Sequence, residues 1–140
     1  MKTDTPITID TAVNAPIEKV WTCWTEPQHI TRWAFASDDW EAPHAENDVR
    51  TGGKFLTRMQ SKSNPNEGFN FGGVYTNVKP HELIEYDMDE NRHVKTVFED
   101  TPQGVKITQT FDPENENTRE MQQQGWQSIL NNFKKYTEGR

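Results

Sequence analysis

Three side chains that could bind a metal ion alternate along one short segment of the sequence. His44, Glu46 and Asp48 occupy every second position, so in a strand all three would point to the same side. An imidazole and two carboxylates are ligands that a divalent metal ion accepts. A straight strand would separate neighbouring members of the set by about 7 Å, which is too far for one ion unless the strand bulges. We therefore predict a hydrated sheet edge here and no metal site.

The other side chains that could take part in catalysis or ligand binding stand alone in the sequence. Cys23 is the single cysteine, and no neighbouring base or cation would activate its thiol, so we expect a half-buried structural residue. Arg58 alternates with Thr57 and Met59 and is expected to face solvent, whereas an inward guanidinium would select an anionic or carbonyl ligand. The acidic run Asp87–Glu90 is typical of a solvated turn. The motifs G-x-S-x-G, H-E-x-x-H and G-x-x-x-x-G-K-[ST] do not occur, so we predict no catalytic residue and no cofactor.

Aromatic side chains dominate the composition of this chain of 140 residues. It carries five Trp, seven Phe and three Tyr. Leu, Ile, Val and Phe together fall just below the level of about 20% that, with a high net charge, is typical of disorder. Disordered chains are poor in aromatic residues. We therefore predict a folded domain with an unusually aromatic core or cavity.

The predicted ligand contacts are aromatic and apolar residues of the sheet and its flanking helices. Trp33, Phe35 and Trp40 would form a portal or a stacking wall for a flat ligand, or else pack into the core. Tyr75 and Tyr86 differ from the phenylalanines because a buried phenol needs a hydrogen-bond partner and can orient a ligand. The predicted contacts are Trp33, Phe35, Trp40, Phe55, Phe69, Phe71, Tyr75, Tyr86, Met88, Met121, Trp126 and Ile129.

Hydrophobic periodicity assigns the first part of the chain to a strand and two helices. Alternation over Thr5–Val13 predicts a strand, and apolar residues at helical spacing from Ile17 to Trp24 predict an amphipathic helix. Thr25–Gln28 has the form of a capping box with proline in the first turn, which predicts a second short helix that reaches Trp33.

From Trp40 to Phe111, alternating segments and short turns predict an antiparallel meander, because parallel pairing would need long crossovers. One of the turns is Asp89–Arg92. After Pro113, Asn117 and Glu120 form a predicted capping pair for a helix of about 20 residues. The predicted strands after the first turn region are Lys54–Gln60, Phe69–Val78, Leu83–Met88, Val94–Glu99 and Val105–Asp112.

A meander with a single long helix to cover it rarely has its concave side completely filled. One face of such a sheet meets water, and the other face must be covered. Gly52–Gly53 and Gly72–Gly73 suit the bulges and bends that a curled sheet needs. The sequence therefore predicts an internal apolar pocket between sheet and helix.

Four groups of residues, in order, match the signatures of one known family. They are Ala15–Trp21 with Thr25–Gln28 and Trp33, then Asp48–Phe55, then Phe71–Pro80 followed by Glu82–Ile84, and finally Gly125–Trp126 with Ile129–Leu130. Together they resemble the heat-shock-protein-90 ATPase activator homologue family, and the likeness extends from about Ile7 to Tyr136. It implies the helix-grip fold of the SRPBCC, or START-like, superfamily, which includes birch pollen allergen. This is an α+β fold in which six to seven antiparallel strands curve around a long C-terminal helix, with two short helices between strands 1 and 2.

Charge and hydropathy exclude several classes of partner. The formal net charge is -7, which argues against a protein whose affinity rests on neutralising phosphates. No stretch approaches the roughly 20 apolar residues of a membrane helix, and Met1–Asp10 lacks the features of a secretory signal. We therefore expect one START-like domain over residues 1–140, located in the cytoplasm, with no nucleic-acid or membrane partner.

The sequence favours a binding function over catalysis. We predict a non-enzymatic protein, monomer or homodimer, that binds or sequesters a hydrophobic or lipid-like small molecule in an internal cavity. The family resemblance implies an alternative, co-chaperone-like stimulation of a heat-shock-protein-90-type ATPase through a chaperone partner. A cyclase-like or hydratase-like enzyme, which some START-like proteins resemble, is the other alternative, and it requires an inward His, Asp or Glu with a strongly perturbed pKa.

Overall fold

The computed structural model describes residues 5–88, 92–114 and 116–139. Two predicted features lie partly outside the described residues, namely the turn Asp89–Arg92 and the acidic run Asp87–Glu90. The first four residues of the chain lie wholly outside them. The elements are β1 (Ile7–Val13), α1 (Ile17–Thr25), α2 (Pro27–Ile30), β2 (Trp40–Asn47), β3 (Lys54–Ser61), β4 (Gly68–Lys79), β5 (Leu83–Met88), β6 (His93–Thr101), β7 (Gly104–Phe111) and α3 (Arg119–Glu138).

The strands form one curled antiparallel sheet in the order β1-β7-β6-β5-β4-β3-β2. Strands β2 to β7 are a meander, and β1 joins the far edge beside β7. Register shifts occur between Glu41 and His44 in β2 and between Tyr75 and Asn77 in β4, and such irregularities bend a sheet. The predicted α+β helix-grip architecture is confirmed.

Glycines permit two tight approaches that the curled sheet requires. Gly52 has a φ of 89° in the turn between β2 and β3, a conformation that L side chains rarely adopt. A Cβ on the adjacent Gly53 would lie 2.1 Å from the carbonyl oxygen of Asp48. A Cβ on Gly73 would lie 2.5 Å from the carbonyl oxygen of Asp87 on the neighbouring strand.

The boundary between the two short helices differs from its prediction. The Thr25 hydroxyl donates to the Trp21 carbonyl oxygen at 2.7 Å, so Thr25 belongs to the last turn of α1. The N-cap of α2 is Glu26, and its side chain makes no capping hydrogen bond. The capping box at Thr25–Gln28 is therefore wrong, because a threonine in a helix can bond back to its own preceding turn. Helix α2 also ends at Ile30 and does not reach Trp33.

Helix α3 is capped one residue later than predicted and covers an edge of the sheet. The Thr118 hydroxyl accepts a hydrogen bond from the Met121 amide at 3.1 Å, while Asn117 donates to the Glu114 carboxylate. The side chains of Gln127 and Lys134 donate to carbonyl oxygens of β1, at 3.1 and 2.8 Å. These bonds satisfy polar groups of an edge strand that would otherwise face solvent.

A cluster of aromatic rings packs where α1, α3 and the β6–β7 end of the sheet meet. The Trp24 ring contacts Trp33, Phe98 and Phe133 with centroid separations of 5.1, 5.5 and 4.8 Å. Phe133 has no exposed surface. Within the described residues, no helix is both long enough and apolar enough to cross a lipid bilayer.

Candidate ligand-binding cavity

A cavity of about 360 Å³ lies between the concave face of the sheet and α3. Its volume falls in the range of about 300–1,000 Å³ that small-molecule sites occupy. Because α3 packs along β1, its opposite side is left facing β3, β4 and β5 across open space. The cavity is therefore the part of the sheet–helix interface that side chains do not fill.

Four aromatic rings form the wall that the sheet contributes. Phe55 of β3 contacts Tyr86 and Tyr75 with centroid separations of 4.7 and 5.2 Å. Tyr75 and Tyr86 are directly opposite each other on β4 and β5. Phe71 is four residues before Tyr75 on β4, so the two side chains lie on the same face of the strand. Strand alternation places all four rings on one face. The wall is thus a continuous aromatic surface.

Helix α3 supplies the facing wall. The Trp126 indole stacks on Phe111 of β7 with a centroid separation of 4.0 Å and an interplanar angle of 9°. This stacking holds the indole in place. Its ring also contacts Phe71 of the opposite wall, with a centroid separation of 5.8 Å. Ile129 and Gly125 also line the cavity. A Cβ built on Gly125 would meet no atom within 4 Å. Open volume therefore lies directly beside this glycine.

The two tyrosines of the wall differ in how their hydroxyls are bonded. The Tyr75 hydroxyl donates to Asn47 Oδ1, and Asn47 Nδ2 donates to the Thr25 carbonyl oxygen at 2.7 Å, which links the wall to the end of α1. The Tyr86 hydroxyl makes no hydrogen bond with any group that the structure describes. Burial raises the pKa of both phenols. Both therefore stay protonated, and only the Tyr86 hydroxyl is available to a ligand.

Arg92, immediately before β6, brings a cation to the cavity. It lines the cavity, and its Nε is buried with no hydrogen-bond partner. A buried donor without an acceptor costs about 1–3 kcal/mol, and more when the group is charged. Arg92 therefore joins Tyr86 as a polar side chain of the described cavity wall with a donor that the protein leaves unsatisfied.

The remaining polar side chains at this end of the cavity bond to the protein itself. Gln122 accepts from the Glu114 amide at 2.8 Å and donates to the Asn117 carbonyl oxygen at 2.9 Å. The Glu114 carboxylate accepts from the backbone amides of Glu116 and Asn117. Gln109 donates to Thr96 at 3.2 Å. These groups hold the β7–α3 connection and the sheet in place.

Eight of the predicted contacts line the cavity and four do not. Phe35 lines a separate shallow depression beside α3, although Trp33 and Ala34 just before it line the cavity. Trp40 packs on Phe69 at the cavity rim, 6.1 Å between centroids. Met88 is buried outside the cavity wall, and Met121 is 59% exposed on the outer side of α3. The eight are Trp33, Phe55, Phe69, Phe71, Tyr75, Tyr86, Trp126 and Ile129.

Several cavity residues were absent from the predicted set although the sequence carried a signal for some of them. Thr57 and Met59 share the strand phase of Phe55, and Ile84 shares that of Tyr86, so alternation alone could have added them. The polar groups carried no such signal, because Arg92 stands in a predicted turn. The other apolar residues of the wall that were not predicted are Trp24, Ile30, Ala34 and Leu130.

The remaining candidates lie outside the cavity or on its rim. His44 Nε2 contacts Glu46 Oε2 at 2.6 Å on the edge strand β2, while Asp48 pairs with Arg50 at 2.9 Å. Among the described residues, no group of three acidic, histidine or cysteine side chains could hold a metal ion. Cys23 is 2% exposed, so the expected half-buried thiol is in fact fully buried.

The predicted outward orientation of Arg58 agrees with its contacts. The Arg58 side chain donates to Gln60 at 3.2 Å and to the Pro65 carbonyl oxygen at 3.0 Å on the convex side of the sheet. Its neighbours Thr57 and Met59 face the cavity instead.

Comparison with known proteins identifies both a family and close structural neighbours. Residues 14–138 match the family described as activator of Hsp90 ATPase homolog 1-like protein. The solution structure of an AHSA1-like protein from Aeromonas hydrophila has a TM-score of 0.90 and 38% identity, covering 96% of this chain and 93% of that chain. A protein from Cytophaga hutchinsonii is 49% identical with a TM-score of 0.82, covering 96% of this chain and 92% of that chain.

More distant structures share the fold alone. A crystal structure of a protein from Nitrosomonas europaea has a TM-score of 0.81 at 16% identity, covering 99% of this chain and 97% of that chain. None of the curated proteins matches the chain in sequence.

Proposed function

The chain belongs to the activator of Hsp90 ATPase homolog 1-like family, and we propose that it binds a hydrophobic small molecule in the cavity between the sheet and α3. The observation that carries this proposal is the unfilled, aromatic-walled volume of about 360 Å³. Protein interiors are normally packed as densely as organic crystals, and unfilled core volume costs stability. A ligand that fills the cavity recovers those contacts.

The composition of the wall supports binding more than catalysis. No histidine belongs to the part of the wall that the structure describes. Of its two carboxylates, Glu46 is paired with His44 and its side chain is 70% exposed, and Glu114 is occupied by backbone amides. A general acid or base must be within hydrogen-bond reach of a reacting group. Both carboxylates already serve the protein's own structure, so the wall supports binding best.

The direct test is titration with a neutral fluorescent probe. N-phenyl-1-naphthylamine is apolar, aromatic and uncharged, so its emission reports entry into an apolar cavity without an ionic contribution. We expect saturable binding at one site per chain, and native mass spectrometry of protein purified without detergent should detect any bound molecule. A linear, non-saturating signal would contradict the proposal.

A variant that fills the cavity distinguishes internal binding from surface adsorption. Gly125→Leu places a side chain in the open volume, and replacing a helical glycine gains about 0.8 kcal/mol of helix propensity. We expect this variant to be at least as stable as the wild type and to lose probe binding. Gln124→Leu is the matched control, because it adds the same side chain one position away on an exposed part of α3. Equal binding by Gly125→Leu and the wild type would refute the internal site.

A second candidate function is co-chaperone-like stimulation of a heat-shock-protein-90-type ATPase, which the family match over residues 14–138 favours. Family membership alone gives this candidate its support, since fold does not imply function. A coupled ATPase assay with the chaperone of the same host tests it, and unchanged turnover at saturating protein would remove it.

The proposal also includes a single domain over residues 1–140 that acts in the cytoplasm as a monomer or homodimer, with no nucleic-acid or membrane partner. The net charge of -7 supports the first exclusion. Light scattering coupled to size-exclusion chromatography measures the oligomeric state, and cell fractionation measures the location.

A further inference from the structure

We infer that the ligand is a hydrophobic carboxylic acid whose acid group binds Arg92 and the Tyr86 hydroxyl where β6 begins. This inference rests on the proposed function, because it names the chemical class that the cavity accepts. The described cavity wall contains one cation and one unbonded phenol, and both lie at the same end.

The backbone fixes the Arg92 side chain on the concave side of the sheet. Its carbonyl oxygen accepts from the Met88 amide at 2.7 Å, which holds it beside the end of β5. In the alternation of β6 it shares a face with Val94, Thr96 and Phe98, all of which are at most 3% exposed. The side chain therefore enters the cavity, and its Nε is buried there without a partner.

No carboxylate of the described cavity wall neutralises the Arg92 guanidinium. Glu114 is held by amides of the β7–α3 connection, and Glu46 is held by His44. A guanidinium presents five donors in a planar fork that matches the two oxygens of a carboxylate. Arg92 is partly buried, and a charge that is removed from water is costly unless it is paired. A ligand carboxylate would supply the missing counter-charge and the missing acceptor together.

Tyr86 stands beside Arg92 on the neighbouring strand. It pairs directly with Val94, so it lies diagonal to Arg92, a separation that long and aromatic side chains can span. The nearby Arg92 charge lowers the Tyr86 pKa, but burial raises it by more. The phenol therefore remains protonated and can donate its hydrogen to a carboxylate that Arg92 also binds.

The rest of the cavity suits the apolar part of such an acid. From the Arg92 end, the wall continues over Phe71, Trp126 and Ile129, none of which presents a charge. An acid group at one end and an apolar body along these rings would fill the volume. Straight-chain and aromatic acids share this chemistry, so the experiment uses one acid of each kind.

Matched acid and alcohol pairs test the inference by displacement of N-phenyl-1-naphthylamine. Decanoic acid is compared with decanol, and 2-naphthoic acid with 2-naphthalenemethanol. We expect the favoured acid to bind at least about tenfold more tightly than its alcohol, equivalent to about 1.4 kcal/mol. Because the protein carries a net charge of -7, its overall field opposes an acid, so a preference for acids must arise locally.

Three variants locate the source of the preference. Arg92→Gln should weaken acid binding far more than alcohol binding and so abolish the difference between them, and Tyr86→Phe should reduce the difference. Arg50→Gln is the control, because Arg50 is an exposed arginine paired with Asp48 at 2.9 Å, and its removal changes the net charge by the same amount.

The outcomes separate this inference from the proposed function. Equal affinity for acid and alcohol in the wild type, or an equal loss of both in Arg92→Gln, overturns the inference and leaves the apolar cavity as a binding site. A loss of acid preference in Arg50→Gln as large as in Arg92→Gln also overturns it. If the probe, the acids and the alcohols all fail to bind, the proposed function fails as well.

Discussion

His93 lies between two carboxylates on the convex side of the sheet, away from the cavity. Its Nδ1 contacts Asp87 at 2.7 Å and its Nε2 contacts Glu85 at 2.9 Å. The hydrogen bond with Asp87, and then that with Glu85, raise the His93 pKa above its ordinary value of 6.5. The hydrogen bond from His93 lowers the Glu85 pKa below its ordinary value of 4.5. The imidazolium thus links β5 to β6 through two charged bonds.

These pKa changes predict how stability depends on pH. The contribution of His93 is fully present below its unfolded pKa and is lost as the pH rises through its raised folded pKa. The contribution of Glu85 is present above its unfolded pKa and is lost as the pH falls through its lowered folded pKa. We expect His93→Asn to destabilise the protein most between the ordinary values of 4.5 and 6.5.

The expected loss is at most about 1 kcal/mol, because the cluster is partly exposed and solvent screens it. Urea unfolding of wild type and His93→Asn at about pH 5.5 and about pH 9 measures the difference, which should shrink at the higher pH. His44→Asn is the control, since among the described residues its imidazole hydrogen-bonds to a single carboxylate, that of Glu46. A difference that grows at high pH would contradict the assignment.

At the scale of single residues, the sequence could predict the aromatic wall but not its polar end. Phe55, Phe71 and Tyr75 have strand alternation on both sides, so their shared face follows from period two. Arg92 is a charged residue in a predicted turn, so no pattern of apolar residues assigns it to a face of the sheet. Its orientation follows only from the position of β6, in which Val94 is two residues further on. Whether a phenol such as Tyr86 finds a partner depends on the packing of neighbouring strands, which a linear pattern does not contain.

Helix α3 carries a buried polar group near its end that no described bond explains. Thr137 has no exposed surface, and its Oγ1 is buried without a hydrogen-bond partner. A buried hydroxyl without a partner costs about 1–3 kcal/mol. This position therefore costs stability without contributing to the cavity.

We expect Thr137→Val to raise the free energy of unfolding by about 1 kcal/mol, because the exchange removes the unsatisfied hydroxyl at nearly constant shape. Urea unfolding with an unchanged m-value measures the effect. The control is Thr25→Val, which removes a hydroxyl that donates to Trp21 at 2.7 Å and should destabilise. A loss of stability in Thr137→Val would mean that its hydroxyl is bonded.

At the scale of elements, the sequence predicts which helices and strands exist, and in what order, better than it predicts where each one begins and ends. The period of 3.6 in α3 and the period of two in the strands arise from burial of one face, so both survive in the fold. The helix ends depend on which side chain bonds to which amide. Glu114 takes Asn117 away from capping and leaves Thr118 to cap α3, a competition that spacing alone does not decide.

At the scale of the whole molecule, one sheet serves two different interiors. Toward α1, the rings of Trp24, Trp33 and Phe133 interlock. Toward β3 and β4, the same sheet faces α3 across the cavity. The packed part fixes the position of the helix, and the helix in turn holds the cavity open. The sequence predicts this hollow because one helix is too narrow to cover a curled sheet of six or seven strands.

Since all strands belong to one sheet and α3 is bonded to its edge, the chain should unfold as a single cooperative unit. Far-ultraviolet circular dichroism and tryptophan fluorescence should give coincident thermal transitions, because Trp21, which packs on Phe98 at 5.4 Å, reports the packed part while Trp33 and Trp126 report the cavity. A ligand such as N-phenyl-1-naphthylamine at 100 times its Kd should stabilise the native state by about 2.7 kcal/mol. The midpoint temperatures of both transitions should then rise together by several degrees. Separate transitions, or a ligand that shifts only one of them, would show that the cavity is not part of the same folding unit.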